Sequence, residues 1–208
     1  MNSIESTPHA VQPVDVLRLW LGAHPLDTLA MQRVQAQWFQ KVDAFDAMLR
    51  QRFLPTLEAA RAGQLDAWAL DAEGRLALLI VLDQFCRNVF RGQPASFAAD
   101  AQALALALEG IERGHDLAVP PMARIFCYLP LEHAEDGAMQ ARSVALFTAL
   151  RDAADAESKA FFDGTLDYAH KHQDVIARFG RFPHRNAILG RASTDEERAY
   201  LAQPGSGF

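Results

Sequence analysis

Near the middle of the sequence, a wholly apolar stretch is followed by one that carries several polar side chains. Residues 76–82 are all apolar, and at about 100° per residue the next two helical turns place five polar residues within an arc of roughly 140°. These residues are Asp83, Gln84, Arg87, Asn88 and Arg91. Such a strip faces either solvent or an internal polar cavity. An acid four residues before an arginine, as in Asp83 and Arg87, is also a common pair on helix surfaces.

A second group of candidates lies in the run from Leu129 to Asp136. If a helix begins at or just after Pro130, then His133, Asp136 and Gln140 share one face, because residues three and seven apart are neighbours on a helix. A histidine and a carboxylate at this spacing can bind a divalent metal, but a hydrogen-bonded pair at a helix start is the commoner outcome. Because the chain contains neither HExxH nor CxxC, we predict no metal site and no cofactor.

Two further histidines, His170 and His172, lie two residues apart on a predicted helix. Their side chains therefore point about 200° apart and cannot hold one ion. His172 shares its face with Ile176 and Phe179, which is typical of a structural histidine in a core.

The third group of candidates is rich in arginine. The segment 178–191 contains four arginines and one histidine but no acid. Gly180 favours a helix end, and Phe182-Pro183 favours an extended turn, so the segment is predicted to be a shaped loop. Guanidinium groups bind carboxylates and phosphates in a bidentate manner. The alternative is that they pair with helix carbonyls and with internal acids, for which the candidates are Asp83, Glu135, Asp136 and Asp174.

The elements that must position these residues are helices, because the apolar spacing is helical along almost the whole chain. Glycines and prolines predict the ends of about eight helices, at about 14–21, 28–39 (extending in one alternative to residue 53), 73–90, 96–113, 121–128, 131–153, 157–179 and 195–201. Pro55 is expected to start or kink a turn. Short links favour antiparallel neighbours, so we predict an all-α array of antiparallel helix pairs.

Charge and composition limit the classes of protein further. The 208 residues include 20 Lys and Arg against 26 Asp and Glu, and this acidic balance argues against nucleic-acid binding. The longest apolar run has seven residues, so no membrane span is predicted. Residues 1–13 are predicted to be a flexible leader, and 14–208 a single helical domain. Cys86 and Cys127 are expected to be reduced core residues of a cytoplasmic protein.

The three polar runs together resemble the signatures of the DUF924 family, which has no assigned biochemical activity. The runs are LDQFCRNVFR at 82–91, YLPLEHAED at 128–136 and RFGRFPHRNAILGR at 178–191. The sequence departs from the family pattern at Cys86, where many relatives have proline, and at Ala134, where serine is usual. The resemblance implies a tetratricopeptide-like (TPR-like) α–α superhelix and a reason to treat the three runs as one unit.

We therefore predict that the three runs converge on one groove or pocket lined by arginine and histidine. The favoured function is binding of an anionic ligand, either a phosphorylated or carboxylated small molecule or an acidic peptide. The predicted ligand-binding residues are Asp83, Gln84, Arg87, Arg91, His133, Asp136, Arg178, Arg181, His184, Arg185, Asn186 and Arg191.

Two other functions remain open. One is a hydrolase-type enzyme acting on a phosphate or acyl compound, with His133 or His184 as general acid or base and Asp136 or Glu135 orienting it. The candidate catalytic residues are then His133, Asp136 and His184. The other is a structural helical adaptor, in which the arginines are buried and already paired with acids. The sequence does not indicate an oligomeric state.

Overall fold

The computed structural model describes residues 11–207, and within this range the chain forms helices and no β-strand. The α-helical segments are α1 (Pro13–Leu21), α2 (Thr28–Trp38), α3 (Asp43–Arg61), α4 (Ala72–Leu79), α5 (Cys86–Val89), α6 (Asp100–Glu112), α7 (Pro121–Glu132), α8 (Gly137–Asp152), α9 (Lys159–Phe179), α10 (Asn186–Leu189) and α11 (Asp195–Leu201). A π-helical segment (Ile80–Phe85) and three 3-10 helices (Asp66–Leu70, Pro94–Phe97 and Pro183–Arg185) complete the described elements.

The number of helices is larger than predicted. Helix α4, the π-helical segment and α5 follow one another without a break, so they form one helix and the described residues contain ten helices instead of about eight. The short helix α10 and the separation of α2 from α3 account for the difference. A helix as short as the four-residue α10 leaves little periodicity in the sequence.

The centre of the fold is a cluster of aromatic side chains from separate helices. Trp20 of α1 contacts Phe85 and Phe126 edge-on, with ring centroids 5.6 and 5.9 Å apart, and Phe53 of α3 contacts Phe85 at 5.1 Å. All four rings are buried. Edge-to-face contacts of this kind stabilise a core by about 0.5–1.5 kcal/mol each beyond burial of their area.

The helix that begins with α4 is buried on every side along its first part, as its composition predicts. The Asp71 side chain caps it by accepting a hydrogen bond from the backbone N–H of Gly74 at 2.8 Å. A Cβ atom at Gly74 would lie 2.1 Å from the backbone oxygen of Trp68, so only glycine fits this first turn. The helix then runs into the π-helical segment that contains Asp83 and Gln84.

Pro55 lies inside α3, so the predicted turn at this proline is wrong. The ring removes one helical hydrogen bond and costs about 3 kcal/mol in a helix interior. Leu49, Phe53 and Leu57 are buried on one face of α3, and this packing compensates for the loss.

The boundary between α7 and α8 also differs from the prediction. Helix α7 continues through Pro130 to Glu132, and α8 begins at Gly137. Asp136 is the N-cap of α8, where its carboxylate accepts hydrogen bonds from the N–H groups of Ala138 and Met139. Pro130 lacks the N–H that would bond the Phe126 oxygen, and the burial of most of α7 compensates for this loss.

At the other end of the chain, α9 ends at Gly180, which has a φ of +68° and donates its N–H to the Ile176 oxygen. The following turn and α10 lead to α11, which is confirmed at the predicted residues 195–201 with a capping box between Thr194 and Glu197. A small apolar cluster of Val175, Ile176 and Phe182 is separate from the main core.

Other sequence predictions have mixed outcomes. Residues 1–10 of the predicted leader lie outside the described residues, whereas Pro13 is already the first residue of α1. Cys86 and Cys127 are free and buried, as predicted. Between residues 11 and 207, no helix combines the length and the apolar character needed to cross a bilayer.

Candidate functional site

A buried contact between two of the predicted polar runs joins Asp83 to His133. The Asp83 Oδ1 atom lies 2.8 Å from His133 Nδ1, at the point where the π-helical segment meets the end of α7. The Asp83 side chain is only 2% exposed, whereas that of His133 is 14% exposed. The π-helical segment changes the helical register at Asp83, and π turns of this kind are frequent at functional sites.

The sequence predicts a pair of His133 and Asp136, and the structure forms the contact between His133 and Asp83 instead. Because α7 ends at Glu132 and α8 begins at Gly137, His133 and Asp136 lie on opposite sides of a link and do not share a helix face. Asp136 is used as a helix cap. Gln140 donates from Nε2 to the backbone oxygens of Glu132 and Ala134, and so holds the link that carries His133.

Arg87 and Arg185 come together at Asp100, the first residue of α6. Arg87 donates from Nη1 and Nη2 to the two carboxylate oxygens at 2.9 and 3.1 Å, and Arg185 donates from Nη1 at 3.0 Å. Arg87 Nη1 is also 3.1 Å from Asp83 Oδ1. The side chains of Arg87 and Asp100 are 18 and 19% exposed, so this part of the cluster reaches solvent.

The guanidinium group of Arg185 lies over two aromatic rings. Its guanidinium carbon lies 4.6 Å from the ring centre of Phe97 and 4.7 Å from that of Phe182. The Nη2 atom of Arg185 donates to the backbone oxygen of His133 at 3.0 Å. Stacking and hydrogen bonding therefore fix Arg185 beside the link that contains His133.

His172 and His184 lie near His133. The rings of His133 and His172 have centroids 6.2 Å apart, and Phe182 packs against both His172 and His184 at 5.4 and 5.6 Å. His172 Nδ1 lies 3.2 Å from Glu132 Oε1 and 2.9 Å from the backbone oxygen of Tyr168. His172 is thus a core histidine, as its sequence position predicts, but it borders the polar cluster.

The protonation states in the cluster follow from burial and from these charges. Burial would raise the pKa of Asp83, but the charges of Arg87 and His133 outweigh it and hold that pKa below its usual value. Burial and the Arg87 charge lower the pKa of His133, although Asp83 opposes them. At neutral pH the pair therefore consists of an ionised carboxylate and a neutral imidazole, in which Nδ1 donates to Asp83.

The two remaining histidines are also neutral near pH 7. Burial, followed by the charge of His133, lowers the pKa of His172 to about 3. Burial and the charge of Arg185 lower the pKa of His184 to about 4. Glu132 shows the opposite behaviour among the carboxyls, since burial and the negative charge of Asp83 raise its pKa to about 8.

A second polar network joins the arginine-rich segment to the helices on either side. Arg191 pairs with Glu135 at 2.6 Å, and Arg181 pairs with Glu197 at 2.7 Å. Asn186 links them, since it accepts from Arg191 Nε at 2.9 Å and donates to Glu197 Oε2 at 3.3 Å. Each guanidinium in this network already has a carboxylate partner.

The other predicted residues lie outside these networks or at their edge. Arg91 pairs with Asp46 of α3, and Arg178 pairs with Glu196 on the surface. Gln84 donates to Asp83 Oδ2 at 2.6 Å and is buried. The structure therefore brings together Asp83, Gln84, Arg87, His133, His184 and Arg185, and it does not bring Arg91, Asp136 or Arg178 to the same place.

The sequence prediction missed two acids of the cluster, Asp100 and Glu132. Asp100 stands in an Ala-rich stretch that has no distinguishing pattern, and only the tertiary contacts bring it to Arg87 and Arg185. Glu132 could have been noticed in the sequence, because it is an acid that directly follows the apolar run 125–131. In the structure it is 3% exposed.

Metal binding finds no support in the described part of the chain. No group of three or more His, Cys, Asp or Glu side chains there could hold a metal ion. Two concave spaces lie away from the cluster: a small cavity of about 10 Å³ beside Arg75 and His115, and an open groove of about 370 Å³ beside Arg61 and Gln102.

Fold and cluster together define a class: an all-α protein with an Asp–His pair and two arginines gathered at the junction of four helical segments. A family model described as "Bacterial protein of unknown function (DUF924)" matches residues 16–205. The chain therefore belongs to the DUF924 family.

A solved structure resembles this fold closely. It is that of a protein of unknown function, ATU0120, from Agrobacterium tumefaciens, with a TM-score of 0.77 and 42% sequence identity. The match covers 91% of this chain and 96% of that one. No curated protein matches the sequence.

Proposed function

We propose that this protein is a hydrolase-type enzyme, in which His133 exchanges a proton with a small substrate that carries a phosphate or carboxylate group. The observation that carries the proposal is the 2.8 Å contact between the buried Asp83 carboxylate and Nδ1 of the partly exposed His133. A carboxylate at Nδ1 fixes the imidazole tautomer and leaves Nε2 as the proton-exchanging atom. The orienting acid in this proposal is Asp83, since Asp136 caps α8 and Glu135 pairs with Arg191.

The neutral state of His133 suits it to act as a general base near pH 7. A base must accept a proton before it can donate one, and Asp83 stabilises the imidazolium that forms. The π-helical segment supports this role because it places Asp83 out of regular helical register and against His133.

In the proposal, Arg87 and Arg185 hold the negative group of the substrate. Both already share Asp100, and Arg87 also contacts Asp83, so two arginines face two carboxylates and the site has no surplus positive charge. An incoming anionic group must therefore compete with Asp100 for the two arginines. Alternatively, it binds as its neutral acid and transfers its proton to His133. Arg87 is the more accessible partner, because its side chain is 18% exposed and that of Arg185 is 8% exposed.

Binding without chemistry is the second candidate function. It is favoured by the convergence of arginines from two distant runs on one carboxylate, because the same geometry would suit a ligand phosphate or carboxylate. The ligand would be an anionic small molecule or an acidic peptide. A binder of this kind would show ligand-dependent stabilisation and no turnover.

The two candidates are separated by measuring turnover with phosphate monoesters and acyl esters of p-nitrophenol. For an enzyme, His133→Gln should lower kcat/KM by about 10²–10⁴-fold, and Asp83→Asn should also lower it, with the melting temperature recorded for each variant. His170→Gln is the matched control, because His170 is exposed. Turnover that survives His133→Gln unchanged would remove the enzyme proposal. No turnover of any ester, together with stabilisation by phosphate, would favour the binder.

Four further inferences from the sequence accompany this proposal. We propose that residues 14–208 form one domain in a TPR-like arrangement, supported by the packing of α8 against both α7 and α9. We also propose a cytoplasmic protein without nucleic-acid partners, supported by two free, buried cysteines and by the acidic balance.

A further inference from the structure

The carboxylate of Asp100 lies between Arg87 and Arg185, where the proposed function places the negative group of a substrate. Arg87 donates to both of its oxygens, at 2.9 and 3.1 Å, and Arg185 donates to Oδ2 at 3.0 Å. Two parallel N–H···O bonds from one guanidinium group are the geometry in which arginine binds a free carboxylate. The chain thus places a carboxylate of its own in the contacts that a carboxylate ligand would make.

Asp100 can leave these contacts without a change in its own helix. It is the first residue of α6, whose N-cap is Ala99. Within residues 11–207, its carboxylate accepts hydrogen bonds from the two arginines and from no backbone N–H. The side chain of Asp100 is 19% exposed and that of Arg87 is 18% exposed. A rotation of Asp100 toward solvent therefore opens the same place to a ligand from solution.

The two arginines are held in position by other contacts. Nη1 of Arg87 lies 3.2 Å from the backbone oxygen of Asp83 and 3.1 Å from its Oδ1 atom. Arg185 donates to the backbone oxygen of His133, and its guanidinium group lies over two phenylalanine rings. None of these contacts involves Asp100, so the donors stay in place when its carboxylate turns away. Donors that are already in position bind an anion at a smaller cost in ordering.

The charge of the site suits a ligand with one negative charge. With the Asp100 carboxylate turned away, two guanidinium groups face the ionised Asp83, which leaves one positive charge. Glu135, another acid that acts on Arg185, is paired with Arg191 and does not change this balance. One carboxylate restores neutrality, whereas a phosphate monoester carries about 1.5 to 2 negative charges at pH 7 and would leave an excess.

The shape of the site favours the same ligand. The space between the arginines fits a planar group with two oxygens, because the carboxylate of Asp100 fills it. The ring of Phe97 borders this space, since its centre lies 5.8 Å from the guanidinium carbon of Arg87 and 4.6 Å from that of Arg185. A tetrahedral phosphate with three terminal oxygens is larger than the group that it would replace.

We propose that the place of the Asp100 carboxylate is the binding site for a carboxylate of the substrate, and that Asp100 occupies it until the substrate displaces it. This carboxylate site rests on the proposed function and narrows its substrate to a small acyl compound with one free carboxylate, in place of a phosphate ester. Arg87 contacts Asp83, which contacts His133, so the bond that reacts lies a few atoms from the carboxylate. Asp100 is then an internal competitor, because a tethered group has an effective concentration on the order of millimolar.

The test is an NMR titration of the ¹⁵N-labelled protein with butyrate, with inorganic phosphate and with uncharged butyramide, at constant ionic strength. The wild-type protein should bind butyrate weakly, because Asp100 competes for the arginines. Asp100→Ala removes the competitor and should bind butyrate about tenfold more tightly or better. In this variant phosphate should bind less tightly than butyrate, and butyramide should not bind.

Asp46→Ala is the matched control. The Asp46 carboxylate also accepts two hydrogen bonds from one guanidinium group, that of Arg91, and its side chain is 15% exposed. This pair lies outside the cluster, so the variant should bind butyrate as the wild-type protein does. An equal gain in Asp46→Ala and Asp100→Ala would show a general effect of removing an acid and would refute the carboxylate site.

Two other results would overturn the inference. One is an affinity for butyrate that is the same in Asp100→Ala and in the wild-type protein, which would make the network of Asp100 and its arginines purely structural. The other is phosphate that binds Asp100→Ala more tightly than butyrate does. If Asp100→Ala does not fold, Asp100→Asn takes its place, since it removes the charge and keeps the size. It should bind butyrate about threefold more tightly than the wild-type protein, and an unchanged affinity would contradict the competition.

Turnover tests the substrate class separately. The wild-type protein should hydrolyse mono-p-nitrophenyl glutarate, which has a free carboxylate, with a kcat/KM about tenfold higher than that for p-nitrophenyl valerate, which has none. Arg87→Gln should remove this preference. If neither ester is hydrolysed, the proposed function fails while the butyrate titration still decides the carboxylate site. If turnover depends on His133 but shows no preference for the glutarate ester, only the carboxylate site is refuted.

Discussion

Replacement of His172 by glutamine should make the folded protein less sensitive to mild acid. His172 is a buried residue of α9 at the border of the polar cluster, where its ring contacts His133 and Phe182. Burial and the charge of His133 lower its pKa from 6.5 to about 3. Between these two values the unfolded chain binds a proton that the folded protein does not, so the free energy of unfolding falls as the pH falls below 6.5.

The size of this effect follows from the pKa difference. Each unit of pH below 6.5 costs about 1.4 kcal/mol until the folded-state pKa is reached. Between pH 7 and pH 5 the loss from His172 is therefore about 2 kcal/mol. Glutamine stays uncharged at both pH values, so it removes this loss but also loses the ring contacts, and the variant should be the less stable protein at pH 7.

The measurement is urea unfolding of the wild-type protein and His172→Gln at pH 7, 6 and 5. The stability difference between them should shrink by about 2 kcal/mol over this range. His170→Gln, two residues away on the exposed side of α9, should follow the wild-type protein at every pH. A difference that stays constant from pH 7 to pH 5 would refute the view that His172 is held neutral by burial.

Three further predictions concern stability. Arg185→Ala should lower the free energy of unfolding by about 3 kcal/mol because it breaks a buried pair, whereas Arg178→Ala at a half-exposed pair should cost less than about 1 kcal/mol; similar urea midpoints would contradict this. Gly74→Ala should lower the melting temperature, since its Cβ would strike the Trp68 oxygen, whereas Gly164→Ala meets open space and should add about 0.4–1 kcal/mol. Thr194→Ala should cost about 1 kcal/mol and reduce hydrogen-exchange protection in α11; unchanged protection would argue against the capping box.

Helix positions could be predicted wherever the sequence has a long stretch of helical periodicity or a clear capping residue. The 195–201 helix was predictable because Ser193 or Thr194 could cap it and Glu196 or Glu197 could be the reciprocal partner. The buried helix around residues 76–82 was predictable from its apolar composition on every side. Prolines were less informative. Pro55 and Pro130 both lie inside helices, because the buried packing of α3 and α7 compensates for each missing N–H.

The sequence by itself determined an all-α protein and the three polar runs from which the cluster is built. Only the tertiary structure decided which acid meets which base. His133 pairs with Asp83 and not with Asp136, and Arg185 reaches Asp100, 85 residues away. Periodicity reports which side of its own helix a residue occupies, whereas these contacts depend on how separate helices pack and on the register change in the π-helical segment.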